Sequence, residues 1–391
     1  MEHVPEVYGF CDARFSGVRT ALEKNFYEHG ELGAAVAVTL EGVPVVDIWA
    51  GWMDADRTRL WEHDTLVDVF SVGKAMAALC LLILVQRNQV ELDAPVSRYW
   101  PQFGVCGKQD VTIRMLLGHR AGVPAVRRLL PEFAMYDWKF MAEALAAEAP
   151  WWEPGSTHGY HVNTFGFLTG EIVRRVSGIS MGEFFAREVA RPLDADFHFG
   201  IDVREDNRVA DYLFPGEPPE LGDEPDPGTQ LDEDGDRQFL LTRAYMNPPG
   251  VSGLGTVNTR AWRAAEIPSA NAHATARAVA RIYSPLAFGG TLNGIRLLDS
   301  DVIEEAIGEA ASGVDFVLDR PSRFGLGFQL TQPERPLGPN KRSFGHFGAG
   351  GSLGFADPDA GLAFGYVLNR SGPRWQNPRN RALIEAVYAA L

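Results

Sequence analysis

Near the start of the chain, apolar residues recur at helical spacing, at Phe15, Val18, Leu22 and Phe26, and predict a helix there. Two β-rich runs follow, Ala35 to Leu40 and Val43 to Trp49, on either side of Glu41-Gly42, and predict a hairpin. The far end carries the same kinds of pattern. Phe324 to Thr331, Ser343 to Phe347 and Leu362 to Asn369 read as strands, and a last helix opens with Asn377 as cap and Pro378 in its first position. Between the ends, Ala75 to Val90, Val111 to Leu117, Phe140 to Ala149, Phe165 to Val176, Met181 to Ala190 and Ala274 to Ile282 read mainly as helices. The pattern predicts an α+β fold, with an antiparallel sheet flanked by N- and C-terminal helices and a mostly helical domain inserted. Residues 1–75 and 275–391 are assigned to the sheet domain, and 76–274 to the helical one.

One helix stands apart, because Ala75 to Val85 is apolar on every side. A helix apolar all round lies inside a protein. The run is well short of the roughly 20 residues of a membrane span, so it reads as a core helix. It is opened by Ser71-Val72-Gly73-Lys74. Side chains three apart on a helix share a face at roughly 5–6 Å between Cβ atoms, which sets an amine beside a hydroxyl. A serine is a poor nucleophile until a base takes its proton, and a lysine whose charge is disfavoured by apolar surroundings can be that base. Ser-x-x-Lys is common by chance; the buried helix behind it gives it weight.

Composition adds limits. A chain of 391 residues, 46% apolar and 11% aromatic, can bury a large core and divide into two lobes. Its formal charge of -15 argues against nucleic acid and anionic membrane as partners. Nine acidic residues and no Lys or Arg lie between Glu217 and Asp236. The surrounding acidic segment near 204–236 reads as a solvated loop, with a lid over an active site as the alternative. Cys11, Cys80 and Cys106 lack metal-ligand spacing and read as reduced packing residues. The start, Met1 to Glu6, has no secretory pattern, and a cytoplasmic location is expected.

A Ser/Lys pair needs a proton relay and donors for an oxyanion. Tyr160 follows the turn-forming Glu153 to Gly159 on a loop, where Lys74 as a cation would favour its phenolate; a packing tyrosine is the alternative. Phe344 to Gly354 joins a strand to a glycine-dense turn whose backbone amides could bind an oxyanion. His346 there offers a proton donor or a second positive group, or is structural. Gly350-Gly351-Ser352-Leu353-Gly354 fits the nucleophile-elbow pattern, but no helix follows, so Ser352 is set aside. His158 and His161 have no further ligand at metal spacing. Trp151, Trp152 and Trp375 read as core or pocket wall.

Taken in order, Ser71-Val72-Gly73-Lys74, Leu116-Leu117-Gly118-His119-Arg120-Ala121-Gly122-Val123, Tyr160-His161-Val162, Phe324-Gly325-Leu326-Gly327-Phe328 and Gly345-His346-Phe347-Gly348 resemble the serine β-lactamase and penicillin-recognising fold. The resemblance is to its class C-like branch, which includes the family VIII carboxylesterases, and it spans most of the chain. It implies Ser71 as nucleophile, Lys74 and Tyr160 as the base system, and His346 with Gly348 as the third motif. The oxyanion hole would be the amides of Ser71 and Ala349, and Val162 and Phe347 would contact substrate. Two departures bear on substrate. Penicillin-active members commonly have Tyr-x-Asn, but Val162 stands at the third place and Asn163 comes one residue late. His346 stands where class C β-lactamases usually carry Lys. The resemblance therefore implies a carboxylesterase for small-molecule esters with short or medium acyl chains, working through an acyl-serine without metal or cofactor. β-Lactamase or D-amino-acid peptidase/amidase activity is the first alternative, and a non-catalytic binding protein of the same fold the second. Oligomeric state is not read from the sequence.

Overall fold

A computed structural model of the chain describes residues 5–215 and 233–391. Nine strands form one antiparallel sheet in the order Tyr8–Cys11, Val43–Gly51, Gly33–Leu40, Leu362–Leu368, Leu353–Asp357, Phe344–Phe347, Gln329–Leu330, Pro321–Phe324 and Ala311–Val314. The N-terminal hairpin thus joins the C-terminal strands edge to edge, with Val36 opposite Tyr366. The α+β fold is as expected. The helix Ala276–Ala287 packs on the sheet, where Gly354 and Gly365 are cross-strand partners. A Cβ on Gly354 would overlap Tyr283 and Val279, and one on Gly365 would overlap the Ala276 carbonyl. Two side chains are missing so that the helix can lie close. The terminal helices Ser16–Glu28 and Pro378–Tyr388 pack on one another, and Asn377 caps the second in a reciprocal capping box.

Several elements differ from the periodicity. Phe324 to Thr331 is not one strand. Pro321–Phe324 and Gln329–Leu330 are paired antiparallel, with Phe324 opposite Gln329, because Gly327, at a φ of 82°, lets the chain turn between them. After Ser352 the chain continues as a strand, Leu353–Asp357, which is buried inside the sheet. The expected acidic loop at 204–236 holds a 3-10 turn at Val203–Arg208, and residues 233–236 begin the helix Glu233–Met246; its stretch 216–232 lies outside the described residues. The three cysteines are free, but Cys106 is exposed and does not pack in the core.

The helix Val72–Gln86 is buried from Val72 to Leu84, as its all-round apolar sequence requires. It packs between the helix Thr164–Ser177 and the strand Phe344–Phe347, which carries Ser71 to the end of that strand. Among the described residues, no helix is long and apolar enough to cross a membrane.

One buried ion pair ties the terminal helices to the sheet. Glu31 is enclosed, with Arg379 Nη1 at 3.2 Å and the Tyr366 hydroxyl also donating to it. Arg379 further donates to the carbonyls of His29, Gly30 and Arg370. Breaking one side of such a pair leaves an uncompensated buried charge. Arg379→Met is expected to cost about 3–5 kcal/mol, read as a lower denaturation midpoint in urea.

Candidate active site

Ser71 sits at a strained turn between a short strand and the core helix. Val67–Asp68 pairs with Ala272–Ala274, and Phe70 then takes a φ of 48°, an uncommon conformation for a residue with a bulky side chain. Asp68 holds that turn, accepting from Phe70 N at 2.7 Å and from Trp262 Nε1 at 2.8 Å. In the tetrad, Gly73 cannot be larger, because a Cβ would overlap the Pro268 carbonyl oxygen. That close approach brings the carbonyl of Ser269 over the serine. Lys74 Nζ lies 2.8 Å from Ser71 Oγ and 2.9 Å from Ser269 O.

The amine is wholly buried and, among the described residues, has no carboxylate within ion-pair distance. Burial alone holds its pKa well below the usual lysine range, which favours the uncharged amine. Tyr160 stands beside it, its ring centroid 4.9 Å from Nζ. Its hydroxyl is buried and has no partner in full hydrogen-bond geometry, though it is near enough to Ser71 for that group to act on it. Burial outweighs Ser71 and pushes the phenol well above its ordinary value. Burial thus works against the expectation that Lys74 keeps Tyr160 as phenolate, because it favours the uncharged form of both groups.

His346 is also neutral. Its Nδ1 donates to Phe347 O at 2.7 Å, which leaves Nε2 as an acceptor, buried and unpartnered among the described residues. Burial first, then Lys74, lowers its pKa to about 3. With its Nδ1 proton committed to Phe347 O, burial works against the second positive group that the sequence offered as one reading. Behind it, the amide of Gly348 is spent on Ser352 O at 2.7 Å, while Ser352 Oγ donates to Val69 O at 3.1 Å. Ser352 thus braces the turn that carries Ser71. The amides of Ser71 and Ala349 donate to no other group among the described residues. Tyr212 holds the carbonyl of Ala349 at 3.1 Å.

A family model described as Beta-lactamase matches residues 18–389. The chain belongs to the beta-lactamase family. Within reach of it, Esterase/beta-lactamase LipL of Mycobacterium tuberculosis is 35% identical over 380 residues, covering 93% of this chain and 83% of that protein. A crystal structure of a family VIII carboxylesterase aligns with a TM-score of 0.89 at 39% identity, covering 99% of this chain and all (100%) of that one. A penicillin-binding protein homolog from Caulobacter crescentus aligns with a TM-score of 0.89 at 38% identity, covering 99% and 100% of the two chains.

In this beta-lactamase-family site, Val162 is buried in a small apolar cluster with Tyr160, Leu240, Ala244 and Phe324. Asn163 turns away and donates to Ala244 O at 2.8 Å and Ser252 Oγ at 2.9 Å, so it does not replace the polar residue missing at 162. Phe347 is buried, its amide held by Gln329 Oε1 at 3.0 Å, and it lines a narrow crevice with Phe324, Arg335 and Trp375. Of the three tryptophans, Trp375 reaches Tyr160, edge to face at 5.0 Å. Trp151 bonds Ala125 O, and Trp152 packs on Phe316 and His161. His158 bonds Ser322 Oγ at 2.9 Å, and His161 spans Gly159 O and Val123 N at 2.7 and 3.1 Å, so both are structural. Among the described residues no cluster could hold a metal.

Sequence reasoning missed what holds Tyr160. Three consecutive amides are captured: Gly159 N by His119 O at 3.0 Å, Tyr160 N by Asp315 Oδ1 at 3.0 Å, and His161 N by His119 Nδ1 at 3.1 Å. The ring of His119 packs on that of Tyr160 at 5.1 Å. His119 lies in a segment already singled out, but Asp315, in an ordinary acidic turn, gave no signal. Ser269, which acts through its carbonyl, gave none either.

Gly348 shows how tightly the strand end meets the serine turn, since a Cβ there would overlap both Val69 O and Ser352 Oγ. Gly348→Ala is expected to lose about 1–3 kcal/mol, as overpacked sites do, measured by denaturant unfolding.

Proposed function

We propose that this chain is a serine hydrolase that cleaves small carboxylic esters through an acyl-Ser71 intermediate. The observation that carries the reading is the uncharged, buried Lys74 amine 2.8 Å from Ser71 Oγ. One amine hydrogen serves Ser269 O, and the lone pair is left to take the serine proton as Oγ bonds to the carbonyl carbon. The oxyanion rests on the amides of Ser71 and Ala349. As the bond from carbon to the alcohol oxygen breaks, the neutral phenol of Tyr160 gives that oxygen its proton and regains one from the Lys74 ammonium. Water repeats the sequence on the acyl-enzyme, losing its proton by the same route and releasing the acid.

The ester reading is supported by the esterase and carboxylesterase named above. It is also supported by Val162, which offers an amide side chain of a substrate no hydrogen bond. The beta-lactamase half of the relative's printed name favours β-lactam or amide cleavage as a second reading. The division into a sheet domain of 1–75 and 275–391 and a helical domain of 76–274, and a cytoplasmic location, complete the proposal.

Ser71→Ala is expected to lower turnover of p-nitrophenyl butyrate by about a thousandfold or more. Wild-type-like activity in that variant overturns the assignment, and faster wild-type turnover of nitrocefin than of the ester transfers it to the second reading. The depressed pKa of Lys74 sets the pH profile. Because the amine must be unprotonated to act, kcat/KM should rise from acid and level off well below the ordinary lysine value of about 10. A profile still climbing there rules out Lys74 as the base.

A further inference from the structure

The helix Ala276–Ala287 meets the sheet through Val279 and Tyr283, and its Arg277 and Arg281, one turn apart, line two adjoining cavities. Side chains four apart share a helix face, and like charges placed there repel. The first cavity, of about 490 Å³, lies between this helix and the N-terminal hairpin and is walled by Val38, Val46, Leu193, Ala280, Leu292 and Ile295. Its two hydroxyls, Thr39 and Ser284, bond one another at 3.0 Å and ask nothing polar of an occupant. The second, of about 730 Å³, is polar, with four arginines and two histidines against three aspartates. Asp194, Arg277 and Arg281 line both and mark where the two meet. No residue of the Ser71 site lines either one.

The apolar cavity comes from irregularities in the strands around it. The pairing of Gly33–Leu40 with Val43–Gly51 shifts register between Val38 and Thr39, a bulge that sets Pro44 opposite Thr39. A small hairpin, Thr291–Leu292 with Ile295–Arg296, lays Leu292 against the turn at Gly42, where a Cβ would overlap it.

Both guanidiniums at the junction are only partly used. Arg277 donates through Nε to Asp47 Oδ2 at 2.6 Å, and among the described residues its two Nη groups have no partner. Arg281 commits Nη1 to the carbonyls of Leu193 and Asp194 and, at 2.9 Å, to Asp194 Oδ2; its Nε and Nη2 have none among the described residues. The Asp194 side chain is 99% exposed, so its pair with Arg281 is a weak surface contact that a better-placed anion displaces. Each arginine side chain is itself only 36% exposed, and a carboxylate is the planar anion that accepts from two such N–H donors at once.

We propose that this junction is a second binding site, for a straight-chain carboxylate of medium length. The carboxylate takes the free donors of Arg277 and Arg281, and the alkyl chain lies in the apolar cavity, whose volume falls within the roughly 300–1,000 Å³ of small-molecule sites. An acid without a chain leaves that wall unfilled. The site is independent of the chemistry at Ser71.

Isothermal titration calorimetry of the full chain with octanoate, hexanoate, acetate and the neutral octanamide tests it. Octanoate is expected to bind with a Kd of about 0.1–1 mM. Hexanoate should bind about tenfold more weakly, because each buried methylene is worth about fourfold. Acetate and octanamide should bind more weakly still, one lacking the chain and the other the charge. Arg281→Gln, at a partly exposed side chain, is expected to keep the wild-type urea midpoint and to weaken octanoate about tenfold, with Arg281→Lys restoring part of the loss. Leu292→Asp, on the small hairpin, should shrink the advantage of octanoate over acetate. Octanoate binding no better than acetate means an anion contact only, and octanamide binding as well as octanoate means an apolar cavity only; either result overturns the site. No binding of octanoate, or an affinity unchanged in Arg281→Gln, overturns it as well.

Discussion

An amine buried without a counter-ion is the constraint on which the rest of this site depends. Lys74 is buried at the start of its apolar helix, and its two hydrogen-bond partners are a hydroxyl and a carbonyl, neither of which repays the cost of a desolvated charge. Burial consequently favours the uncharged amine, and its neighbours follow the same rule. Burial first favours the protonated phenol of Tyr160 and the neutral imidazole of His346, which keeps the single proton on Nδ1. Burial therefore favours the uncharged forms of the groups around Ser71. Charge arises there only when a proton moves, and fixed backbone dipoles are placed to meet it.

Such a cluster works only if its members are held still. The scaffold does this with backbone contacts more than with side chains facing the serine. Asp68 and Trp262 fix the turn before Ser71, Ser352 braces the same turn from the sheet, and Tyr212 holds the loop carrying Ala349. His119 and Asp315 between them capture the amides of Gly159, Tyr160 and His161. The glycines at 73 and 348 serve the same end, because each stands where a Cβ would strike a carbonyl that the site needs in place.

The walls around this cluster are of two kinds. On one side, Val162 joins the apolar cluster of Leu240, Ala244 and Phe324, and Asn163 is committed to the helix Glu233–Met246 and to Ser252. A substrate amide finds no partner there. On the other, Trp375 carries Arg320 at the edge of an otherwise neutral site.

Much of the fold was legible in the chain, because periodicity reports directly on which face of an element is buried. The hairpin of residues 33–51, the core helix behind Ser71 and the capped C-terminal helix all follow from it, as does the order of motifs through Gly348. The edge strands Tyr8–Cys11 and Ala311–Val314 did not, since their residues are mostly exposed and carry no alternating pattern. The chain by itself determined which residues meet at the site: Ser71 and Lys74 by helical spacing, Tyr160 and His346 by motif order. Tertiary structure alone decided their charge states and their bracing. A protonation state depends on the sum of dehydration and neighbouring charge from every element packed around a group, and contacts such as Lys74 with Ser269 or Tyr160 with Asp315 join positions more than 150 residues apart.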